Sequence, residues 1–341
     1  MTPRSDCLPL ALTMGEPAGI GGEIALKAWA NHRDRLPPFF LLDDVARLRR
    51  LATDLGLDAV TTPIENPAEA ASAFPKGLPV LAQPLAKPPQ PGKPEAENVP
   101  AILNAIRRAV AYVRAGTASA LVTGPIHKQS LAEAGVPFPG HTELLADLAG
   151  EGTEAAMLLV TKGLRVAPVT IHMPLRAVAE SLTTARIVAC GKIVADGLRQ
   201  DFGIARPRLA VAALNPHGGE AGVLGQEEAK IIAPAVAALQ KAGIAAQGPL
   251  PADSLFHAKA REAHDAVLCM YHDQALIPLK TIDFSGGVNA TLGLPFVRTS
   301  PDHGTAFDIA GQGIADETSL VAALRLAFEV AERRRHARTS P

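Results

Sequence analysis

Val166-Ala-Pro-Val-Thr-Ile-His172, Leu209-Ala-Val-Ala-Ala-Leu-Asn-Pro-His217 and Ala266-Val-Leu-Cys-Met-Tyr-His272 are three short apolar runs, each ending in a histidine. A strand buried on both faces reads this way, aliphatic without alternation and stopped by a polar residue. Helical stretches separate the runs, about Thr184 to Arg199 and Gln226 to Ala242. Strand and helix in alternation predict an α/β fold, with largely parallel sheets and helices on both faces. In open α/β sheets the ligand crevice lies outside the carboxyl ends of the strands. The three histidines are therefore expected at the rim where a ligand would bind.

The same alternation extends outward. Leu8 to Met14 and Phe39 to Leu42 read as strands, Ile20 to Ala30 and Asp44 to Leu55 as helices. The clearest helix starts at Asn98, a plausible N-cap, with Pro100 in the first turn. Val99, Ile102, Leu103, Ile106, Val110 and Val113 then share one helical face, and Gly116 ends it. Ser119 to Val122 is a further strand, and a helix from about Glu317 to Arg333 closes the pattern. Lys87-Pro-Pro-Gln-Pro-Gly-Lys-Pro94 continues neither element, which leaves a domain linker and an ordered surface loop as its two readings.

At 341 residues the chain has room for roughly two domains. With 48% apolar and 20% charged residues it is expected to be globular. A formal net charge of −1 argues against nucleic acid as a partner. The basic run Arg333-Arg334-Arg335 reads as a solvated helix end. Cys7, Cys190 and Cys269 are too few and too scattered for a disulfide framework or a thiolate zinc site. No apolar run reaches membrane-spanning length and the start lacks a signal-peptide core, so a soluble cytoplasmic protein is expected.

His172, His217 and His272 each fall in a tight polar turn after a strand, with Pro174 and Pro216 keeping two of those turns from becoming helix. Three neutral imidazoles with an open fourth position form a catalytic zinc arrangement, and imidazole also suits cobalt, nickel and iron. Rim histidines that merely bond backbone are the alternative. Pro139-Gly-His-Thr-Glu143 leads into an apolar-periodic segment, so His141 and Thr142 are expected at a helix N-terminus, where an anion is favoured; an ordinary threonine cap reads the same. From Lys280 to Asp308 polar residues are set among glycines. Lys280, Asn289 and Arg298, nine residues apart each time, would need a folded loop to converge, with structural turns the other reading. The glycine-rich Met14-Gly-Glu-Pro-Ala-Gly-Ile-Gly-Gly-Glu23 matches no nucleotide fingerprint.

Several of these stretches also carry a family resemblance. Met14-Gly-Glu-Pro-Ala-Gly-Ile-Gly21, Thr123-Gly-Pro-Ile-His-Lys128, Gly140-His-Thr-Glu143, Asn215-Pro-His-Gly-Gly-Glu220 and Pro249-Leu-Pro-Ala-Asp-Ser-Leu-Phe256 resemble the 4-hydroxythreonine-4-phosphate dehydrogenases. So do Met270-Tyr-His-Asp-Gln274, Pro278-Leu-Lys280, Gly287-Val-Asn-Ala-Thr291 and Val297-Arg-Thr-Ser-Pro-Asp-His-Gly-Thr-Ala306. The likeness runs from about residue 8 to residue 332.

The resemblance implies oxidation of 4-phosphooxy-L-threonine by NAD or NADP, on the route to pyridoxal 5'-phosphate (vitamin B6). The product, 2-amino-3-oxo-4-phosphooxybutanoate, would decarboxylate to 3-amino-2-oxopropyl phosphate. It also implies one divalent cation per site (zinc, cobalt or magnesium) and a homodimer whose active site is shared between subunits. The implied fold is like that of isocitrate and isopropylmalate dehydrogenases. Domains are expected over residues 1–125 with 300–341, and over 126–299 with the metal histidines, the active site lying in the cleft between them.

Carried over by motif, His172, His217 and His272 would hold the metal. His141, Thr142, Lys280, Asn289 and Arg298 would bind substrate. Lys280, Asp253 and Asp273 are the candidates for taking the hydroxyl proton. A phospho-threonate or phospho-erythronate dehydrogenase shares most of these features, and a three-histidine zinc hydrolase is the rival chemistry for the same ligands.

Overall fold

The computed structural model describes residues 7–136, 138 and 140–339. The strands, in chain order, are β1 (Leu10–Thr13), β2 (Phe39–Asp43), β3 (Thr61–Ile64), β4 (Leu78–Ala82), β5 (Leu121–Thr123) and β6 (Ala156–Thr161). They continue with β7 (Leu164–Pro168), β8 (Arg208–Ala212), β9 (Ala245–Leu250), β10 (Ala266–Cys269), β11 (Val288–Leu292) and β12 (Arg298–Pro301). The chain divides into two compact units, residues up to Gly152 with Leu294–Thr339, and Thr153–Gly293. Residues 126–152 thus belong with the first unit, and the proline-rich stretch lies inside it.

In the first unit six strands pair in the order β3-β4-β2-β1-β5-β12, all parallel. Both faces are covered, which accounts for the unbroken apolar runs. Phe39 and Phe40 are successive and so point to opposite faces. Phe39 meets Phe74 edge-on at 5.1 Å, and Phe40 meets Tyr112 of the helix Val99–Arg114 at 5.9 Å. The helix Val45–Asp54 is capped by Asp44, whose side chain accepts from Arg47 N at 2.8 Å. Asn98 makes no such cap. Its side chain accepts from Lys87 N and donates to Lys87 O, at 3.0 and 2.9 Å. Gly92 N donates to Ala18 O at 2.8 Å, so the proline-rich stretch is an ordered loop tied down at two points.

The second unit orders its strands β11-β6-β7-β10-β8-β9. β7, β10, β8 and β9 are parallel, while β6 runs antiparallel to both β7 and β11. Its core alternates along the strands. Leu209, Val211, Ala266 and Leu268 pack in one cluster with Ile187, Val194 and Leu239 of the helices Thr184–Gln200 and Ala233–Lys241. Ala210, Ala212, Val267 and Cys269 pack in the other with Ala275 and Leu279 of the helix His272–Ile282. The unit is therefore an α/β/α sandwich, and the predicted α/β class holds in both units. The expected helix from Gln226 begins instead as a π-turn over Glu228–Ile232 before becoming regular at Ala233. The closing helix runs Thr318–Thr339, longer than its apolar pattern suggests. Among the described residues no helix is long and apolar enough to cross a membrane.

Candidate active site

The three histidine runs form neighbouring strands, since β10 lies between β7 and β8 with parallel pairing on both sides. All three histidines consequently follow the carboxyl ends of adjacent strands in the second unit. His172 comes four residues beyond β7, His217 five beyond β8 and His272 three beyond β10, where it opens a helix. The rings of His172 and His272 lie 5.9 Å apart between centroids. They line a cavity of about 330 Å³ with Thr170, Met173, Tyr271 and Asp273. His272 Nδ1 and Asp273 Oδ1 are 2.7 Å apart, a contact that orients the ring and leaves Nε2 as the nitrogen open to a ligand.

His172 and His217 are both left-handed, with φ of 46° and 52°. Such strain in residues other than glycine concentrates at functional sites. Two imidazoles sharing one cation at bond lengths of about 2.0–2.1 Å bring their centroids to roughly 5–6 Å. The spacing of His172 and His272 fits a divalent cation on that measure. His217 is exposed on its turn and is not gathered with the other two: among the described residues no group of three or more His, Cys, Asp or Glu is placed to hold a metal ion.

The first unit contains a second candidate centre. Arg298 on β12 is 3% exposed and donates through Nη2 to Thr123 Oγ1, at the end of β5, at 2.6 Å. Burial pushes its guanidinium down to about 9, so it stays cationic at neutral pH. His141 is the first residue of the helix His141–Ala149, with Gly140 rather than Thr142 at the cap. The Thr142 side chain lies outside the described residues. Burial, then the charges of Arg298 and Lys128, hold the His141 ring well below the usual histidine range, so it is neutral. Its Nε2 is buried without a hydrogen-bond partner. Desolvation also lowers the Lys128 ammonium, against a smaller opposing effect of Glu143. Two cations and a buried imidazole nitrogen near a helix N-terminus are the kind of surroundings that suit an anion.

Lys128 and Thr123 escaped the sequence reading as site residues. Their signal was the polar motif Thr123-Gly-Pro-Ile-His-Lys128 directly after a strand. A left-handed Gly15 (φ 69°) lets its turn approach this motif, where a Cβ would fall 2.5 Å from Pro125 O.

The other candidates occupy separate elements. Lys280 and Asn289 lie in the second unit, on the helix His272–Ile282 and on β11, whereas Arg298 lies in the first. Lys280 Nζ sits 5.2 Å from the centre of the Phe284 ring. Asn289 Oδ1 is buried without a hydrogen-bond partner, an acceptor ready for a ligand's N–H or O–H. Asp253 is exposed on a short turn, and Asp273 is engaged by His272. In the first unit Glu23, 1% exposed, lines a cavity of about 130 Å³ with Gly19, Arg47, Arg50 and Gly311, and its Oε2 has no partner. A buried carboxylate oxygen beside glycine backbone suits the hydroxyls of a cofactor ribose.

A family model described as "Pyridoxal phosphate biosynthetic protein PdxA" matches residues 36–327. A 4-hydroxythreonine-4-phosphate dehydrogenase of Caulobacter vibrioides is 52% identical over 331 residues, 96% of this chain and 98% of that protein. The crystal structure of such a dehydrogenase from Klebsiella pneumoniae has a TM-score of 0.84 at 41% identity, covering 95% of this chain and 99% of that one. A terephthalate 1,2-cis-dihydrodiol dehydrogenase from Burkholderia xenovorans has a TM-score of 0.61 at 27% identity, covering 95% and 98%. Similar along nearly its whole length to proteins of one name, the chain belongs to the PdxA family of 4-hydroxythreonine-4-phosphate dehydrogenases and is an oxidoreductase acting on a CH–OH group.

Proposed function

We propose that the chain oxidises 4-phosphooxy-L-threonine with NAD or NADP to 2-amino-3-oxo-4-phosphooxybutanoate, which decarboxylates to 3-amino-2-oxopropyl phosphate in pyridoxal 5'-phosphate synthesis. The observation that carries this substrate class is the buried Arg298 guanidinium, which lies, like the Lys128 ammonium, close enough for the neutral His141 ring to feel its charge. A phosphate dianion would meet these cations with charge-assisted hydrogen bonds. Arg298 and His141 are assigned to the phosphate, with Thr142 on the same helix turn. A remote group held this firmly helps fix the reacting carbon.

His172, His217 and His272 are assigned to the divalent cation. When bound, it would supply Lewis-acid polarisation at the carbinol oxygen and at the ketone that follows. Zinc, cobalt and magnesium remain the candidates for that ion. The nicotinamide ring would accept the hydride, and Glu23 is our candidate for holding a ribose of that cofactor.

Among the proton acceptors, Asp273 is committed to orienting His272, and Asp253 is exposed on its turn. Lys280, half-buried on the helix that His272 opens, is the group we assign to the hydroxyl proton. Asn289 Oδ1 would accept from the substrate's amino group. A homodimer is proposed to complete the site. His217 stands exposed on a turn that ends in Val223 and Leu224, 82% and 45% exposed, apolar surface of the kind a second copy covers.

The test is turnover of 4-phosphooxy-L-threonine and of unphosphorylated 4-hydroxythreonine with NAD and with NADP, followed by absorbance of the reduced cofactor. The proposal expects efficient oxidation of the phosphorylated compound alone. Equal turnover of both compounds, or none of either, contradicts it.

A further inference from the structure

We propose that Glu228 is the positioning residue for His217, anchoring the left-handed turn from which that imidazole projects. The inference rests on the reading above in which His217 is a metal ligand, and it deepens that reading. Five consecutive residues, His217 to Ala221, are left-handed, with φ of 52°, 64°, 79°, 43° and 54°. Only two of them are glycines, so His217, Glu220 and Ala221 occupy a conformation that L-residues avoid. A strained turn of this kind persists only where its surroundings hold it.

The holding group is the Glu228 carboxylate, which is 6% exposed. Its Oε1 accepts from Leu214 N at 2.9 Å and from Asn215 N at 2.8 Å. Its Oε2 accepts from Asn215 Nδ2 at 3.0 Å. The same oxygen touches the turn itself, since a Cβ on Gly219 would lie 2.6 Å from it. Three donors converging on one side chain call for a group that only accepts, and an ionised carboxylate is that group.

Glu228 is fixed in turn from the core side. It is the first residue of the π-turn Glu228–Ile232, and Ile232 is fully buried in the core cluster of the second unit. A π-turn shifts the helix phase by one residue and recurs at functional sites. The path from core to imidazole is therefore short: Ile232, the Glu228 carboxylate, the amides of Leu214 and Asn215, then Pro216 and His217. Glu227 assists from outside. Its Oε2 accepts from Asn215 Nδ2 at 2.7 Å, but it bonds neither of the two backbone amides.

The test is Glu228→Gln in the full chain, with cobalt(II) alone as the probe and binding followed by equilibrium dialysis and visible absorbance. Glutamine keeps the shape and one acceptor, but turns an NH2 donor against the Asn215 amide. The expected result, at a temperature where the variant is folded, is cobalt binding weakened about 10- to 100-fold, as for other groups that orient a metal ligand. Glu227→Gln should weaken it less than about threefold on the same scale. Cobalt binding by Glu228→Gln equal to that of the parent overturns the inference while leaving the metal assignment standing. Unaltered binding by His217→Ala overturns the metal assignment and the inference with it. Should Glu228→Gln not fold, amide hydrogen exchange of the unmutated protein decides. Slow exchange at Leu214 and Asn215 supports the anchor, and exchange at the rate of an open loop overturns it.

Discussion

Arg298→Ala is the sharpest perturbation of the anion pocket. The guanidinium is buried on β12 and is braced by Thr123 Oγ1 at 2.6 Å, so it is preorganised before any ligand arrives. A hydrogen bond to a charged group is worth about 1.5–3 kcal/mol. Removing one member of a buried charged contact costs about 2–5 kcal/mol of binding. Lys128, His141 and the helix N-terminus remain in the variant, which points to the lower half of that range, about 3 kcal/mol. At about 1.4 kcal/mol per decade the dissociation constant for a phosphorylated substrate should rise roughly a hundredfold.

Titration calorimetry with substrate and initial rates of nicotinamide reduction measure this directly. Unphosphorylated 4-hydroxythreonine is the control, and its weak binding should not change. The free protein gives an independent reading. Arg298→Ala removes the guanidinium and its bond to Thr123 Oγ1, so any gain from an added anion should shrink in the variant whatever its own unfolding temperature. Inorganic phosphate at a hundred times its dissociation constant should stabilise the parent by about 2.7 kcal/mol and the variant hardly at all. An unchanged KM, or an equal loss for both compounds, refutes the assignment of Arg298 to the phosphate.

Further outcomes follow from the same contacts. The His141 ring is held well below its ordinary 6.5 by burial and by the charges of Arg298 and Lys128. Above that value both folded and unfolded rings are neutral; below it the unfolded ring takes a proton that the folded ring refuses. The unfolding midpoint should therefore drop as pH falls from about 6.5 towards the lower folded value, less so in His141→Gln, and less again with phosphate bound. Asp43→Asn leaves the Arg47 guanidinium buried without its 2.6 Å carboxylate partner, and a loss of about 3–5 kcal/mol in denaturant unfolding is expected. Burial pushes the Cys190 thiol up to about 12 and the Cys269 thiol higher still. A thiol-exchange reagent at mildly alkaline pH should then label Cys7 alone in the folded protein and all three cysteines in denaturant.

Much of the architecture was legible because burial on both faces writes itself as unbroken apolar strands. The runs ending at His172, His217 and His272 became three adjacent parallel strands. Strands with weaker patterns were not legible. β9, Ala245–Leu250, is only part-buried along most of its length and contains Gly248 and Pro249, so it reads as a turn. The helix start at Asn98 was right, but not its capping bond, because the side chain pairs with Lys87 across a loop.

The site was legible as residue types and not as distances. Arg298 and Thr123 are 175 residues apart, and nothing local in either stretch announces their hydrogen bond. Lys280, Asn289 and Arg298, equally spaced in sequence, fall on a helix and two strands of different units. Glu228 lay hidden inside an expected helix, since a π-turn has no distinct apolar period.

The measurement that bears most directly on the account is anomalous scattering from a crystal grown with zinc and phosphorylated substrate. The account predicts one zinc peak per chain within about 2.0–2.1 Å of imidazole nitrogens from His172, His217 and His272, counting any second copy of the chain. A peak bound elsewhere, or substrate seated with no ion beside these rings, contradicts it.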